Sequence, residues 1–502
     1  MDWSYTKIFQ LAGVEIMLAG TALVVLFVDL ALGKEEVKTR GAVAVRLSLL
    51  GIFAGILIVV LGHARGTLPA GILVIDPLSQ GIKVLLLILA GAAIPLVLTS
   101  QETHQIGELC SLLLLSVIGL SLMVSTENFL TMFVGLELAS LSFYIATALN
   151  DRRVDSLEAA LKYLFYGGVA SAFLLYGLSL FYGWTGSIEM RKVAAGLSTM
   201  PFSPGIAVAL LMVLIGLGFK IAAVPFHLWA PDTYQAAPNA AAAWIASGSK
   251  LASFFLLGKF LVLATPKLRG GESFTGPGGW LFLLWIFACG SMILGNLTAL
   301  VQRSFKRLLA YSGIAHAGYV LLPLVAIGKG ADLAMIFAAV VFYVFTYGLA
   351  VIGAFGVAAV QEANGLSDRI EAFAGLYRRG PIVSLLLLLF LLSLAGIPPL
   401  AGFVAKFYLL RVVLTGGMFA WIGFALAIGL SVVALYYYLQ VLKHAFVREG
   451  EDRSDWKVQK GARLVLLCLG LGVLLLGVAP QWLFHSLHQW IGVALQTWNA
   501  TL

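Results

Sequence analysis

The sequence predicts an all-α polytopic membrane protein of about fourteen transmembrane helices, and three observations carry that prediction. Of the 502 residues, 61% are hydrophobic and only 11% charged, against roughly 25% charged in a soluble domain. Apolar runs long enough to cross a bilayer, which needs about 20 residues in helical form, recur from end to end. The segments between them are short, charged or rich in Gly and Pro, with no polar stretch long enough to fold separately.

The first run, about 8–32, follows Asp2 and Lys7; it is too long for a signal-peptide core and lacks a cleavage site, so it reads as the first span. Further spans are expected near 41–61, 78–98, 108–124, 128–149, 157–184, 204–236, 239–264, 280–300, 305–327, 332–360, 381–415, 419–446 and 464–491. The seventh carries Pro225 and Pro231, the twelfth Gly396, Pro398 and Pro399. Each proline removes a backbone donor and clashes with the preceding turn, so both helices should be broken near mid-span. Cys110, Cys289 and Cys468 stand singly in apolar runs, without metal-ligand or disulfide spacing, and read as small buried hydrophobes.

An even number of spans places both termini on one side. Loops after odd-numbered helices hold eighteen Lys and Arg and the opposite side eight, so the odd loops are expected in the cytoplasm and both termini outside. The formal net charge of +8 is this loop excess and does not indicate a nucleic-acid partner. Six of the 32 basic residues remain, all inside spans: Lys83, Lys162, Lys220, Lys250, Lys259 and Lys406.

A lysine at a helix centre costs about 2.5–3.5 kcal/mol on insertion scales. Burial disfavours its charged form and a nearby carboxylate favours it, so a membrane lysine that exchanges partners is a natural proton carrier. Lys220 lies in LIGLGFKIAAVPFHLW, five residues before Pro225, where snorkelling is difficult. Glu137, in LTMFVGLELASLSFY, is a lone mid-span carboxylate that calls for a buried cation. Glu158 and Lys162 are spaced i, i+4 in the favourable order for a helical pair, and the deeper Lys162 is expected to bridge Glu137 to Lys220. Lys250 sits among small residues in AWIASGSKLASFF, and Lys406 follows the break in LAGIPPLAGFVAKFYLL by about two turns. His227 in the broken seventh span and His316 in YSGIAHAGYV titrate nearest neutral pH and suit relay between lysines. Lys83 and Lys259, nearer helix ends, are expected to snorkel. Phosphate-binding glycine loops, HExxH and GxSxG motifs do not occur, so no bound NADH, flavin, haem or cluster is expected in this chain.

FKIAAVPFHLWAPDTYQAAPNAAAAWIASGSK at 219–250 and LAGIPPLAGFVAKFYLL at 394–410 closely resemble the antiporter-like subunits of respiratory complex I, and among them the N type. Lys250 stands where the paralogues usually have histidine, Lys406 where one has glutamate, and the chain stops soon after its last span, where another paralogue continues into a lateral helix. The local departure is AAPNAAAA, where relatives often show a Gly/Thr/Pro-rich string. The resemblance implies helices 1–3 in 1–107, two inverted five-helix repeats in 108–264 (helices 4–8) and 280–446 (helices 9–13), and a last helix with its tail in 464–502, with helices seven and twelve broken. By the same resemblance Glu137, Lys162, Lys220, Lys250 and Lys406 match a central polar axis, and His227 and His316 match positions joining half-channels. It further implies proton pumping coupled to quinone reduction in the bacterial inner membrane, beside two paralogous antiporter-like subunits, with quinone, FMN and iron–sulfur clusters held by partner subunits. The other readings are a subunit of a multi-subunit cation/proton antiporter or of a membrane-bound hydrogenase, and a mainly structural subunit whose ionic axis ties helices together.

Overall fold

The computed structural model describes residues 5–33, 35–62, 64–99, 105–149, 154–271, 279–327, 332–450 and 456–499. Lys34, Arg152, Arg153, Lys329 and Arg453, five of the loop cations used to orient the chain, lie outside these residues. The fold is a bundle of helices with one two-stranded hairpin, β1 (Gly66–Thr67) and β2 (Val74–Ile75), among the described residues.

Among the described residues, twelve helices are long and apolar enough to cross a bilayer. Six come before the first break: α1 (Gly13–Ala31), α2 (Val37–Gly62), α3 (Pro77–Ala93, prolonged by a 3-10 turn to Thr99), α4 (Ile106–Ser125), α5 (Phe129–Ala148) and α6 (Val154–Thr185). Their starts follow from local chemistry. Asp76 and Ser79 form a reciprocal capping box on α3, and the Asn128 side chain accepts from the Leu130 and Thr131 amides at the start of α5.

A short helix α7 (Met190–Ser198) leads to the first interrupted span. There α8 (Pro204–Lys220) stops, residues 221–228 leave helical geometry, and α9 (Trp229–Ala236) resumes. Beyond it come α10 (Asn239–Leu263, with a π turn at Ile245–Ser249), α11 (Trp280–Ala299), α12 (Phe305–Val325) and α13 (Leu333–Ala363). The second interruption separates α14 (Pro381–Ala395) from α15 (Ala401–Val413); Gly396 sits at φ 87°, a left-handed conformation that suits glycine. The bundle closes with α16 (Met418–Phe446) and α17 (Lys460–Val478).

The final expected span, 464–491, is divided. α17 ends at Val478, Pro480 opens a new turn, and α18 (Gln481–Asn499) is a separate amphipathic helix. It buries Leu483, Leu487, Ile491, Ala494 and Trp498 at three- and four-residue spacing while Trp482 stays exposed. Trp490 packs over Gly81 of α3, and Phe484 lies against Phe342 of α13.

The apolar length of α10 is wholly buried and that of α12 and α13 is 94% buried, against 28% for α16, so these three helices form the centre. Helix pairs close on glycine. A Cβ on Gly119 of α4 would meet the Gly135 carbonyl of α5 at 2.5 Å, and one on Gly318 of α12 would meet the Ala288 carbonyl of α11 at 2.6 Å.

Candidate functional site

Among the described residues six buried lysines lie within the bundle, and the acceptor each one meets divides them. Lys220 ends α8, where the break frees its side chain to run inward. Its ammonium donates to Ser140 Oγ on α5, which in turn donates to the Leu136 carbonyl, and it lies 5.6 Å from the Tyr144 ring centre. Glu137, one turn from Ser140, accepts from Ser171 Oγ of α6 instead. The expected cation for Glu137 is therefore close along α5 but held off by serines, and no direct Glu137–Lys220 ion pair forms.

Lys250 follows the π turn of α10, which re-aims the helix face just before it. Its ammonium donates to the Gly313 carbonyl of α12 at 2.5 Å and lies 5.4 Å from the Tyr347 ring. One turn along α12, His316 lies with its ring 4.8 Å from that of Tyr347 and bonds through Nδ1 to Tyr343 Oη at 2.7 Å and through Nε2 to Tyr438 Oη at 3.3 Å. Lys406, on α15 just past its break, donates to the Ala395 carbonyl at 2.8 Å and lies 5.3 Å from the Tyr319 ring. His316, Tyr343, Thr346, Ser393 and Lys406 share a cavity of about 10 Å³, about enough for one water. Lys250, His316 and Lys406 thus form one continuous polar stretch across α10, α12, α13 and α15.

These three lysines share a property: their ammonium groups rest on hydroxyl or carbonyl oxygen, not on carboxylate. Each can release or take up a proton without separating an ion pair. The other buried lysines each have a carboxylate within 4 Å. Lys83 meets Glu15 at 2.6 Å, with Ser121 Oγ also donating to Glu15 at 2.6 Å. Lys306 meets Glu362 at 2.6 Å, and Asn239 Nδ2 donates to the same carboxylate. Lys259 donates to the Val124 carbonyl at 3.4 Å and lies 3.9 Å from Glu127, which Arg191 grips at 2.7 Å. Glu127 lies between α4 and α5; burial pushes its carboxyl up, but Lys259 and Arg191 together hold it below the usual carboxylate range. It opens onto a cavity of about 860 Å³ beneath the hairpin and α18.

Lys83 and Lys259 are 1% and 2% exposed, so neither snorkels; buried carboxylates hold both inside. The reverse correction applies to Lys162. It pairs with Glu158 at 2.8 Å as expected, but its second partner is Asp232 of α9 at 3.1 Å, and Asp232 also binds Arg307 at 2.7 Å. This cluster lines an open polar cavity, and Lys162 does not bridge Glu137 to Lys220. His227 is buried in the first break with its Nδ1 unpartnered.

Sequence reading missed Glu15, Glu127, Asp232, Lys306, Glu362 and Asp368. Glu15 was within reach, as a lone carboxylate inside an apolar run like Glu137. The others flank the ends of spans, where sequence alone does not say which way a side chain turns. Among the described residues there is no group of three or more His, Cys, Asp or Glu placed to hold a metal.

Fold and site together define a multi-pass helical membrane protein with an ionisable interior. The chain belongs to the NADH:quinone oxidoreductase/Mrp antiporter transmembrane family, whose model matches residues 126–431, and within it to the subunit N group. It is 43% identical, over 97% of its length and 99% of the relative's, to NADH-quinone oxidoreductase subunit N 2 of Acidobacterium capsulatum. A chain of the respiratory complex I from Thermus thermophilus superposes with a TM-score of 0.75 at 33% identity, covering 94% of this chain and 99% of that one. A chain of the archaeal membrane-bound sulfane sulfur reductase shares the fold, with a TM-score of 0.82 at 23% identity, covering 97% and 99%.

Proposed function

We propose that this chain is the antiporter-like subunit N of an NADH:quinone oxidoreductase, and that it moves protons while partner subunits carry the quinone, flavin and iron–sulfur chemistry. The observation that carries the reading is the set of three buried lysines on neutral acceptors, linked in its second half through His316. A proton carrier must change charge cheaply, and a lysine clamped by a carboxylate does not.

In this mechanism electron transfer in partner subunits shifts Glu137 relative to Lys220, and the approach or withdrawal of that carboxylate sets when Lys220 holds its proton. Lys250 passes the proton through His316 and the small cavity to Lys406, which releases it outward. His227 serves the break beside Lys220, and Lys162 with Glu158 serves the open cavity at the cytoplasmic end of α6. Moving one charge against 100 mV costs about 2.3 kcal/mol, and a buried ion pair made when Glu137 approaches Lys220 would cost about 3–5 kcal/mol to break again. The shift therefore has sufficient leverage.

We place the chain in a bacterial inner membrane with fourteen crossings, both termini outside and the two paralogous antiporter-like subunits as neighbours. The two interrupted helices, α8–α9 and α14–α15, supply the crossings beyond the twelve uninterrupted ones. Inverted repeats over 108–264 and 280–446 are supported by matching joints. Asn128, the cap of α5, bridges Glu189, and Ser304, the cap of α12, bridges Arg369. In each joint the loop before the second helix of a repeat pairs with the loop after its third.

The test is pumping per electron in the intact complex carrying Lys220→Ala or Glu137→Gln. Stoichiometry lowered in either variant with the complex assembled supports the assigned roles; undiminished pumping in both rejects them. A multi-subunit cation/proton antiporter is the second reading, because the matching family spans both assemblies. Neighbouring genes for cation-antiporter subunits would favour it.

A further inference from the structure

At the ends of α14 and α17 that carry the basic loops lies a cavity of about 260 Å³, separate from the lysine axis. Among the described residues that line it, Arg379 and Arg463 are the charged ones. Arg379 is 7% exposed. Its Nη2 donates to the Ala372 and Ala374 carbonyls at 3.2 and 2.6 Å, but its Nε–H has no acceptor. Trp456 returns the chain to this point by donating its backbone N–H to the Arg379 carbonyl at 3.0 Å. Its ring lies 5.6 Å from the guanidinium, and its indole N–H is also buried without an acceptor. Two unsatisfied buried donors side by side cost stability unless something accepts from them.

The cavity's remaining features agree on what that acceptor is. The first turn of α14, Gly380 to Val383, faces it, so the positive end of a fifteen-residue helix adds to the two arginines. Below the polar rim the lining becomes apolar, with Ile382 and Leu386 of α14 and Leu466 of α17. Outside it, Leu385, Leu464 and Leu467 are exposed, forming a wall for hydrocarbon. A small free anion would use only the rim, whereas this site has a cationic head and a greasy floor. Basic pockets between helices at the cytoplasmic membrane edge suit anionic lipid head groups.

We propose that this cavity binds the phosphate of one anionic phospholipid. Arg463 and the Arg379–Trp456 pair hold the phosphodiester, and an acyl chain lies along Ile382, Leu386 and Leu466. The site does not depend on the proton-pumping reading.

The test uses the full-length chain in its assembled membrane complex, reconstituted with a photoactivatable phosphatidylglycerol or with the matched phosphatidylcholine. Cross-linked peptides are then mapped by mass spectrometry. The phosphatidylglycerol probe labels 380–392 and 460–471 about ten-fold more than phosphatidylcholine, in keeping with charge-assisted phosphate contacts. Trp456→Phe keeps the ring and removes the indole donor, and Arg463→Gln alters an exposed side chain; each cuts that labelling about three- to ten-fold in a complex that still assembles. Equal labelling by the two lipids overturns the proposal, as does labelling unaffected by either substitution. Loss of labelling on adding excess inorganic phosphate would assign the rim to a free anion and overturn it. No labelling of these helices, as when a neighbouring subunit seals the cavity, would do the same.

Discussion

Lys83 of α3 and Glu15 of α1 form a 2.6 Å ion pair with both side chains almost wholly buried, fastening the N-terminal helices to α4 through Ser121. The pair has no part in the proposed proton path, and its value should be structural. Breaking a buried pair leaves one uncompensated charge, at about 3–5 kcal/mol, whereas replacing both partners by apolar groups is often neutral. Lys83→Met or Glu15→Leu alone should therefore lower the thermal midpoint of the detergent-solubilised chain by several degrees, and the double variant should recover most of the loss. A double variant as unstable as the singles would show that the pair is not acting as a unit.

Glu127 and Asp368, both between spans, should respond to acid in opposite directions. For Glu127 burial raises the carboxyl, but Lys259 and Arg191 outweigh it and the net shift is downward from 4.5. Its contribution is present above that unfolded value and lost as pH falls through the lower folded one. Asp368 is raised from 3.8 by burial, which outweighs Lys306 and the bonds from Ser304 and the Lys306 amide. Its ionisation in the folded chain is a penalty at neutral pH that disappears as pH falls through its raised folded value. Melting curves from pH 7 to about pH 2 should show Glu127→Gln less stable than wild type at pH 7, with the gap closing only below about pH 4.5. Asp368→Asn should show a relative gain at pH 7 that shrinks in acid. A gap that is constant with pH in both variants would refute the linkage.

Two glycines near the lysine axis separate a folding defect from a functional one. On Gly402 a Cβ would meet the Ser393 carbonyl oxygen at 1.8 Å, a backbone atom that cannot give way. Gly402→Ala should reduce assembled protein severely. On Gly313 a Cβ would meet Tyr347 Oη at 2.8 Å and Lys250 Nζ at 3.0 Å, both ends of side chains. Gly313→Ala should assemble but push Lys250 from its carbonyl, lowering protons pumped per electron by up to the share this one subunit contributes. Quantifying the subunit in membranes alongside pumping distinguishes the two cases, and normal pumping in assembled Gly313→Ala would argue against Lys250 as a relay.

How much of this was legible in the sequence depended on where a charge sits along its helix. Lys220, Lys250 and Lys406 stand out because each is a cation deep in an apolar run, where the cost of burial implies a purpose. Both proline clusters marked their breaks for an equally local reason, the lost backbone donor. Lys306 escaped notice because it is the second residue of α12, and a lysine there reads as solvated until Glu362 is seen turning toward it from α13. Lys83 and Lys259 were misplaced for the same reason, because long-range carboxylate partners leave no local trace. The division at Pro480 was hidden because the apolar face of α18 raises the mean hydropathy of the run enough to imitate a span.

His316 offers the sharpest test of the relay. Its Nδ1 bonds to Tyr343 Oη at 2.7 Å and its Nε2 to Tyr438 Oη at only 3.3 Å, so Tyr343 holds the ring's tilt between Lys250 and Lys406. Tyr343→Phe removes one hydroxyl and leaves the aromatic packing, a loss of about 0.5–1.5 kcal/mol in the bond and up to about ten-fold in a step that depends on it. Electron transfer uncoupled from the membrane potential should be unaffected, while the rate of proton release under a potential should fall several-fold. The fall should be larger in heavy water than for wild type, because the proton step then limits turnover. His316→Ala should abolish pumping through this subunit, and Tyr438→Phe should do less than Tyr343→Phe. Equal effects of the two tyrosine substitutions would mean that the ring's position is set by packing and not by the Nδ1 bond.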